Sequence, residues 1–412
     1  MKTKILLLAL FTLFFLQQSI AQENIRFKGY VRNYSGVLMS DNHDFSIMQN
    51  TFNLEIEKRA EKIGFKVNPY LYHFFDKELE LGLREAYLDM YFGKFDLRVG
   101  KQQIIYGKAD GVFITDVVSP KDLREFLLPD FEEIRIGVTS AKLNYYIGNN
   151  TFEFVWIPVF TPTHLPDSGS IWRPKMNFPI TPTFDNSTSG IKPRLENSEL
   201  FFRYSAMTSK IDFELVGGYF FNDDPAMHLT KYIDPVNMQL IALTARPQYH
   251  RLTMGGGSFS TPLNGFVIRG EGGYYSGKYF QTQNPAIPDA TIKKNYLHYM
   301  AGLDYTIAGV RLSAQFIQEY ILNYENGIWN DEFENTMTFL AKKDFLREKL
   351  WLELFTYIGL NKEDALIRPK ISYSFADGFD MQFGANIFTG TEGRFGQYNN
   401  NDMLYLKLKY SF

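Results

Sequence analysis

The 412-residue chain carries 43 Lys and Arg against 46 Asp and Glu, a formal net charge of -3, so it lacks the basic surplus of a nucleic-acid surface. It contains no cysteine, which excludes a disulfide framework, a thiolate metal site and a Cys nucleophile. Aromatic residues reach 17% while hydrophobic residues stop at 45%, so aromatic mass is high without long apolar runs, as in membrane strands with one apolar face.

In chain order, Lys2 and Lys4 precede an apolar run from Ile5 to Phe15, and Ser19-Ile20-Ala21 supplies a small-x-small cleavage site. Residues 1–21 therefore read as a signal peptide and 22–412 as the mature domain. Losing the two lysines takes the net charge from -3 to -5. No later run of about 18 apolar residues exists to make a membrane helix. The remainder of the chain instead alternates apolar with polar residues, broken at intervals by turn residues. Tight reversals are expected at Gly93-Lys94, Gly148-Asn149-Asn150, Thr208-Ser209-Lys210, Thr261-Pro262-Leu263-Asn264, Ala308-Gly309 and Ala376-Asp377-Gly378. Longer connections are expected at roughly 107–131, 161–196, 222–246, 277–295, 322–334 and 391–401. The spacing predicts an all-β fold, a transmembrane antiparallel up-and-down β-barrel of about 18 strands with short periplasmic turns and long extracellular loops. The last strand alternates most clearly. Leu404, Leu406, Leu408, Tyr410 and Phe412 form one face, expected toward lipid and read by the outer-membrane insertion machinery, and Tyr405, Lys407, Lys409 and Ser411 form the other.

Energetics assign the faces, because Arg or Lys pointing to lipid at mid-depth costs roughly 2–4 kcal/mol whereas a lumen position stays hydrated. Ala86, Leu88, Met90, Phe95, Leu97 and Val99 are expected outside, with Glu85, Tyr87, Asp89, Asp96 and Arg98 inside. The lumen set comprises Arg98, Lys101, Arg203, Arg269, Glu271, Arg311, Glu319, Arg368 and Lys370, joined by Asp212, Glu214, Asp304, Gln315 and Glu353. Tyr145-Tyr146, Phe220-Phe221 and Tyr274-Tyr275 are expected in the interfacial girdles. A barrel this wide leaves an aqueous channel unless a loop enters it. Candidates for a constriction are the connection holding Lys108, Asp110, Asp116 and Arg124, and the one holding His164, Trp172 and Arg173. Similar numbers of both charge signs imply at most weak anion selectivity. Some lumen charges, Arg269 among them, are equally read as neutralising neighbouring acids and locking barrel shape.

Catalytic and metal signatures are weak. Five of the six His (His43, His73, His164, His228 and His250) scatter over strand ends and loops, His298 lies on a strand, and no spacing singles out a Ser-His pair. Gly255-Gly256-Gly257 reads as a bend or close backbone approach, not a phosphate loop. Asp223-Asp224 and Asp331-Glu332-Glu334 read as solvated loop acids. No enzyme activity, metal or cofactor is expected.

Leu97-Arg98-Val99-Gly100-Lys101-Gln102-Gln103-Ile104-Ile105-Tyr106-Gly107, followed by Asp116-Val117-Val118-Ser119-Pro120-Lys121-Asp122, resembles a motif of outer-membrane porin-like proteins related to the alginate-export barrels. Lys101, Tyr106 and Ser119 depart from that motif's Arg, Trp and Asn. Trp156 to Pro162 and Arg269-Gly270-Glu271 also resemble the family. The resemblance implies an eighteen-stranded barrel gated by external loops, while the mixed lumen charge disfavours the polyanion alginate as cargo. The expected function is a porin-like channel passing small hydrophilic solutes passively. The alternative is a loop-plugged barrel acting as an accessory subunit of a larger outer-membrane assembly, and self-association is also open. Expected partners are outer-membrane lipid and solutes, without nucleic acid.

Overall fold

A strand that alternates with a period of two has one apolar and one polar face, and such strands satisfy every edge hydrogen bond only by closing into a ring. The computed structural model describes residues 25–40, 42–75, 79–176, 178–187 and 189–412, and the segment expected as a leader over 1–21 lies outside them. In chain order the strands are β1 (Arg26–Leu38), β2 (Phe45–Arg59), β3 (Ile63–Phe74), β4 (Glu80–Phe92), β5 (Phe95–Gln102), β6 (Val138–Ile147) and β7 (Asn150–Ile157). Next come β8 (Thr183–Phe184), β9 (Glu199–Met207), β10 (Asp212–Phe221), β11 (Ala226–Ile233), β12 (Leu240–Gln248), β13 (Arg251–Leu263) and β14 (Phe266–Gln281). The last are β15 (Thr291–Ile307), β16 (Val310–Ile321), β17 (Phe333–Phe345), β18 (Leu350–Gly359), β19 (Asp364–Ala376), β20 (Phe379–Thr389) and β21 (Met403–Ser411).

All but β8, β11 and β12 form one 18-stranded antiparallel sheet in which each strand pairs with the next. β21 then pairs with β1, from Tyr30 opposite Ser411 to Leu38 opposite Met403, closing the barrel. At one end the reversals are tight. Asn264-Gly265 and Ala308-Gly309 hold positive φ at both central positions, the geometry that matches strand twist in a two-residue hairpin. The opposite end carries the long connections at 103–137, 158–198, 222–250 and 390–402, although 39–44, 75–79 and 360–363 there are short. This asymmetry identifies the tight end as periplasmic.

Leu88, Val99, Leu215, Leu303, Phe339 and Phe383 are exposed on the outside, while Gln49, Thr51, Asn53 and Asn68 are buried on the inside. In β21, Leu404 and Tyr410 are exposed, as is Phe412 just after it, and Met403, Tyr405 and Lys407 are buried inward, as the alternation requires. Phe412 stacks on Phe52, with ring centroids 6.4 Å apart. The register between β3 and β4 slips by one residue. Asn68 faces Glu85 and Pro69 faces Leu83, leaving Arg84 as an extra bulged residue. Arg84 and Glu85 therefore both point inward, Arg84 to the Glu132 carbonyl (2.9 Å) and Glu85 to Lys66 (3.0 Å).

Two expectations change. The connection read as a loop over 222–246 contains the hairpin β11–β12, and β8 adds to β12 in parallel, so an extramembrane three-stranded sheet stands above the barrel. The doublets read as girdles split because neighbours in a strand face opposite ways. Tyr145 stacks on Phe95 on the outer face while Tyr146 turns inward and donates to Asp96. Tyr274 is exposed, whereas Tyr275 is buried and its hydroxyl donates to the Ile114 carbonyl. Phe220 and Phe221 are both buried at the extracellular end, against Phe201 and Phe160 respectively.

Candidate functional site: an inward loop and the chambers it divides

The connection 103–137 leaves β5 and folds into the lumen instead of standing above it. Its apolar residues Ile104, Ile114, Val118, Leu128 and Ile134 are buried, so folding inward removes them from water. Its backbone polar groups then need partners, and the barrel wall supplies them. Glu271 on β14 takes hydrogen bonds at one oxygen from the amides of Lys108 (2.5 Å) and Ala109 (2.8 Å), and at the other from the Thr115 amide (2.7 Å) and hydroxyl (2.8 Å). Arg269 donates to the Lys108 carbonyl (2.6 Å) and bridges Asp110 and Asp304, each at 2.8 Å. Gln315 on β16 accepts from the Asp110 amide and donates to its carbonyl. Tyr357 donates to the Gly111 carbonyl (2.9 Å), and Arg368 to the carbonyls of Leu127 and Leu128 (both 3.0 Å).

The loop then returns across the barrel. Lys407 meets Asp130 (3.3 Å), and Arg32 meets Glu133 (2.9 Å). Although burial acts to raise it, the neighbouring Lys407 and Arg32 cations hold the Asp130 carboxyl down at about 2. Burial, with Asp122 and Glu133 alongside, pushes Glu125 up to about 7. A second connection, 390–402, reaches in from the other side and sets Arg394 on Glu319 (2.6 Å) and Glu334 (3.1 Å).

These segments divide the interior. An inner chamber of about 270 Å³ faces β16–β21 and is lined by Arg311, Lys342, Glu353, Arg368, Lys370 and Lys407, with Asp110 and Asp130 from the loop. An outer chamber of about 170 Å³ is lined by Arg32, Arg124 and Lys407 against Glu80, Asp122, Glu125, Glu133 and Asp167. The two share only Pro129 and Lys407 in their walls. A third chamber, about 230 Å³, lies between the inward loop and the extracellular ends of β10, β14 and β15. A fourth, about 250 Å³, surrounds Arg98, Asp89 and Lys142 at the periplasmic mouth.

The expected lumen residues thus fall into distinct environments. Arg311, Arg368 and Lys370 face the inner chamber. Arg269 and Glu271 are 8% and 5% exposed beneath the loop, so their polar groups hold it in place instead of meeting a solute. Arg98 pairs with Asp89 (2.7 Å), Arg203 with Glu153 (3.1 Å), and Glu319 with Arg394. Lys101 does not belong with them. It lies opposite Ala86 and Thr139, two residues along from exposed Val99, which puts it on the outer face at the extracellular end of β5. Among the loop candidates, Lys108 lies 3.9 Å from Glu214, and Asp116 ties to Arg135 (2.8 Å) and so holds the loop's own fold. Arg124 clamps Asp122 (2.6 Å) and Glu80 (3.0 Å) beside the outer chamber. Arg173 stacks over Phe184 in the external sheet and is not part of the constriction. Arg32, Glu133 and Arg394 lie on the partition without having been singled out in sequence.

Residues 33–341 match the family described as protein of unknown function DUF1302, three quarters of the chain. The chain belongs to this family. No curated protein matches it by sequence. Among solved structures it is similar to Acinetobacter baumannii OccAB4, with 11% identity, a TM-score of 0.57, and coverage of 95% of this chain and 99% of that one. It is likewise similar to Pseudomonas aeruginosa OccK2 (OpdF) in complex with glucuronate, at 10% identity and TM-score 0.54, covering 95% and 99%. A third, Pseudomonas aeruginosa OccK3 (OpdO), has 12% identity and TM-score 0.55, covering 94% and 96%. These likenesses establish the porin-like barrel, while the finer resemblance to alginate-export barrels is not carried by them. With its apolar outside and closed 18-strand sheet, this DUF1302 member is an integral outer-membrane β-barrel.

Proposed function

We propose that the barrel is a non-enzymatic channel passing small hydrophilic solutes passively, with a weak preference for anions, its mature domain 22–412 exported behind the 1–21 leader. The observation that carries this reading is a row of charge across the inner chamber. Arg311 faces Lys342, Lys342 faces Glu353 and Glu353 faces Lys370 on consecutive strands, with Arg368 and Lys407 beside them. Glu353 is shared by Lys342 (3.2 Å) and Lys370 (2.7 Å), and Arg311 has no ion-pair or hydrogen-bond partner among the described residues. Cations thus outnumber acids along one wall, which raises local anion concentration. The glucuronate held by OccK2 is a solute of the same class, a small hydroxylated carboxylate. The outward row Leu404, Leu406, Leu408, Tyr410 and Phe412 supports recognition of the last strand by the insertion machinery.

In a planar bilayer with a KCl gradient, the purified protein is expected to show open-channel steps and a reversal potential displaced toward chloride. Cation preference would overturn the anion reading. A second reading is favoured by the partition, since the inner and outer chambers share only Pro129 and Lys407. A barrel plugged in this way serves as an accessory subunit, and electrical silence with stoichiometric co-purification of another outer-membrane protein would select it.

A further inference from the structure

The chamber above the inward loop differs from the others in what it leaves unpaired. His298 on β15 is 8% exposed and lines this chamber, and its Nε2 atom hydrogen-bonds to nothing among the described residues. An unmet buried donor or acceptor of this kind costs about 1–3 kcal/mol unless something enters to meet it. Lys278 on β14 also lines the chamber. Its ammonium lies 4.0 Å from the centre of the Tyr296 ring and has no carboxylate within ion-pair distance among the described residues. The chamber is also lined by Asp223 and Asp224, in the connection after β10, whose carboxylates have no ion-pair partner among the described residues. Burial, with Glu199 and Asp224 nearby, pushes the Asp223 carboxyl well above the usual range despite the Lys121 ammonium, as expected of an acid cluster short of a cation. The Lys121 ammonium is held by the Asp116 carbonyl at 2.8 Å. Apart from Thr163 and Asn222, the rest of the wall is apolar or aromatic, including Phe113, Val117, Leu123, Phe220 and Leu252.

An unpaired cation with an orphan imidazole nitrogen, two under-paired acids and an apolar wall together describe the complement of one solute type. We propose that this chamber binds a small zwitterion with an apolar body, an amino acid or short peptide, its carboxylate at Lys278 and His298 and its ammonium at Asp223 and Asp224. A solute with only one charge leaves the opposite pole unmet, and a site built to pair a polar group discriminates against analogues that lack it. The chamber sits on the extracellular side of the inward loop, so it would load solute before the inner chamber. This reading deepens the channel proposal and rests on it for its role in transport, whereas binding itself does not require conduction.

The test uses the full barrel in detergent and in planar bilayers, with leucine and 6-aminohexanoate as zwitterions whose charges are adjacent or separated, isocaproate as the carboxylate alone and isoamylamine as the amine alone. Calorimetry is expected to show binding of at least one zwitterion, at least tenfold tighter than either single-charge probe. Lys278→Met and, separately, Asp224→Asn are expected to weaken it at least tenfold, and two variants on different elements guard against misfolding of one. Isocaproate or isoamylamine binding as well as the zwitterions would overturn the proposal, as would absence of zwitterion binding to the folded barrel. Electrical silence with zwitterion binding intact would sink the channel reading and leave this site standing.

Discussion

Replacing Glu271 by Ala removes the acceptor of four hydrogen bonds from the inward loop, three of them from backbone amides. Thr115 is buried and its amide would have no substitute partner unless water enters. At roughly 1–3 kcal/mol for each buried donor left unmet, three amides put the loss of seating energy at about 3 kcal/mol or more. That shifts the seated-to-unseated ratio by more than a hundredfold, since each 1.4 kcal/mol is about tenfold. The other anchors, Gln315 to Asp110 and Arg368 to Leu127 and Leu128, keep the loop attached. The expected outcome is therefore a mobile constriction in an intact barrel. Single-channel recordings of Glu271→Ala are expected to show larger mean conductance and greater open-state noise than the parent. Gly107→Ala reaches the same contact from the loop side, because a Cβ there lands on the Glu271 carboxylate and Gly107 holds φ of 83°, which disfavours any side chain. If both variants fold and both keep parental conductance and noise, the inward loop does not set the narrowest passage and the reasoning fails.

Other expectations separate the wall's parts. Arg311→Glu places a negative charge in the inner chamber and is expected to move the KCl reversal potential toward cation preference, whereas Lys101→Met, on the outer face, is expected to leave it unchanged. Leu406→Arg puts a guanidinium into lipid at a cost of roughly 2–4 kcal/mol and is expected to lower the urea midpoint for unfolding in vesicles. The external sheet carries a pH-sensitive clasp. His228 Nε2 lies 2.8 Å from His250 Nε2, and His228 Nδ1 lies 2.9 Å from Asp289, an arrangement that holds one proton between the facing nitrogens. Burial and the adjacent His228 lower the His250 pKa, and hydrogen bonds from His228 and Thr291 outweigh burial to lower that of Asp289. A depressed histidine binds fewer protons folded than unfolded, so its contribution is complete above the ordinary histidine range and declines as pH falls through that range. The Asp289 contribution falls away later, through the carboxylate range. Limited proteolysis is expected to cut the β11–β12 connection faster at pH 5 than at pH 8, and His250→Gln is expected to flatten the difference.

Much of the barrel was legible because strand alternation is a local property. Two residues per repeat and a charge penalty in lipid are enough to send Arg203, Arg311, Glu353 and Arg368 inward and Leu88, Val99 and Leu406 outward. The same period places Lys101 with Val99, so grouping it with the lumen charges ran against its parity. The bulge at Arg84 was not legible, because it is set by register against Asn68 and Pro69. Nor was the division of labour among lumen charges. Whether an inward residue meets solute or the inward loop depends on partners far away in sequence, as when Glu271 binds Ala109 across 162 positions.

By itself, then, the sequence determined the compartment expected for the chain, the all-β class, the approximate strand number and the face of most side chains, since these come from short-range periodicity and transfer energetics. Only the tertiary structure decided that the 103–137 connection enters the lumen and that 222–250 builds a hairpin above it. It also brought Lys278 and His298 into one chamber with Asp223 and Asp224. Those outcomes depend on pairing buried polar groups across the barrel, and no local pattern encodes which distant partner will satisfy them.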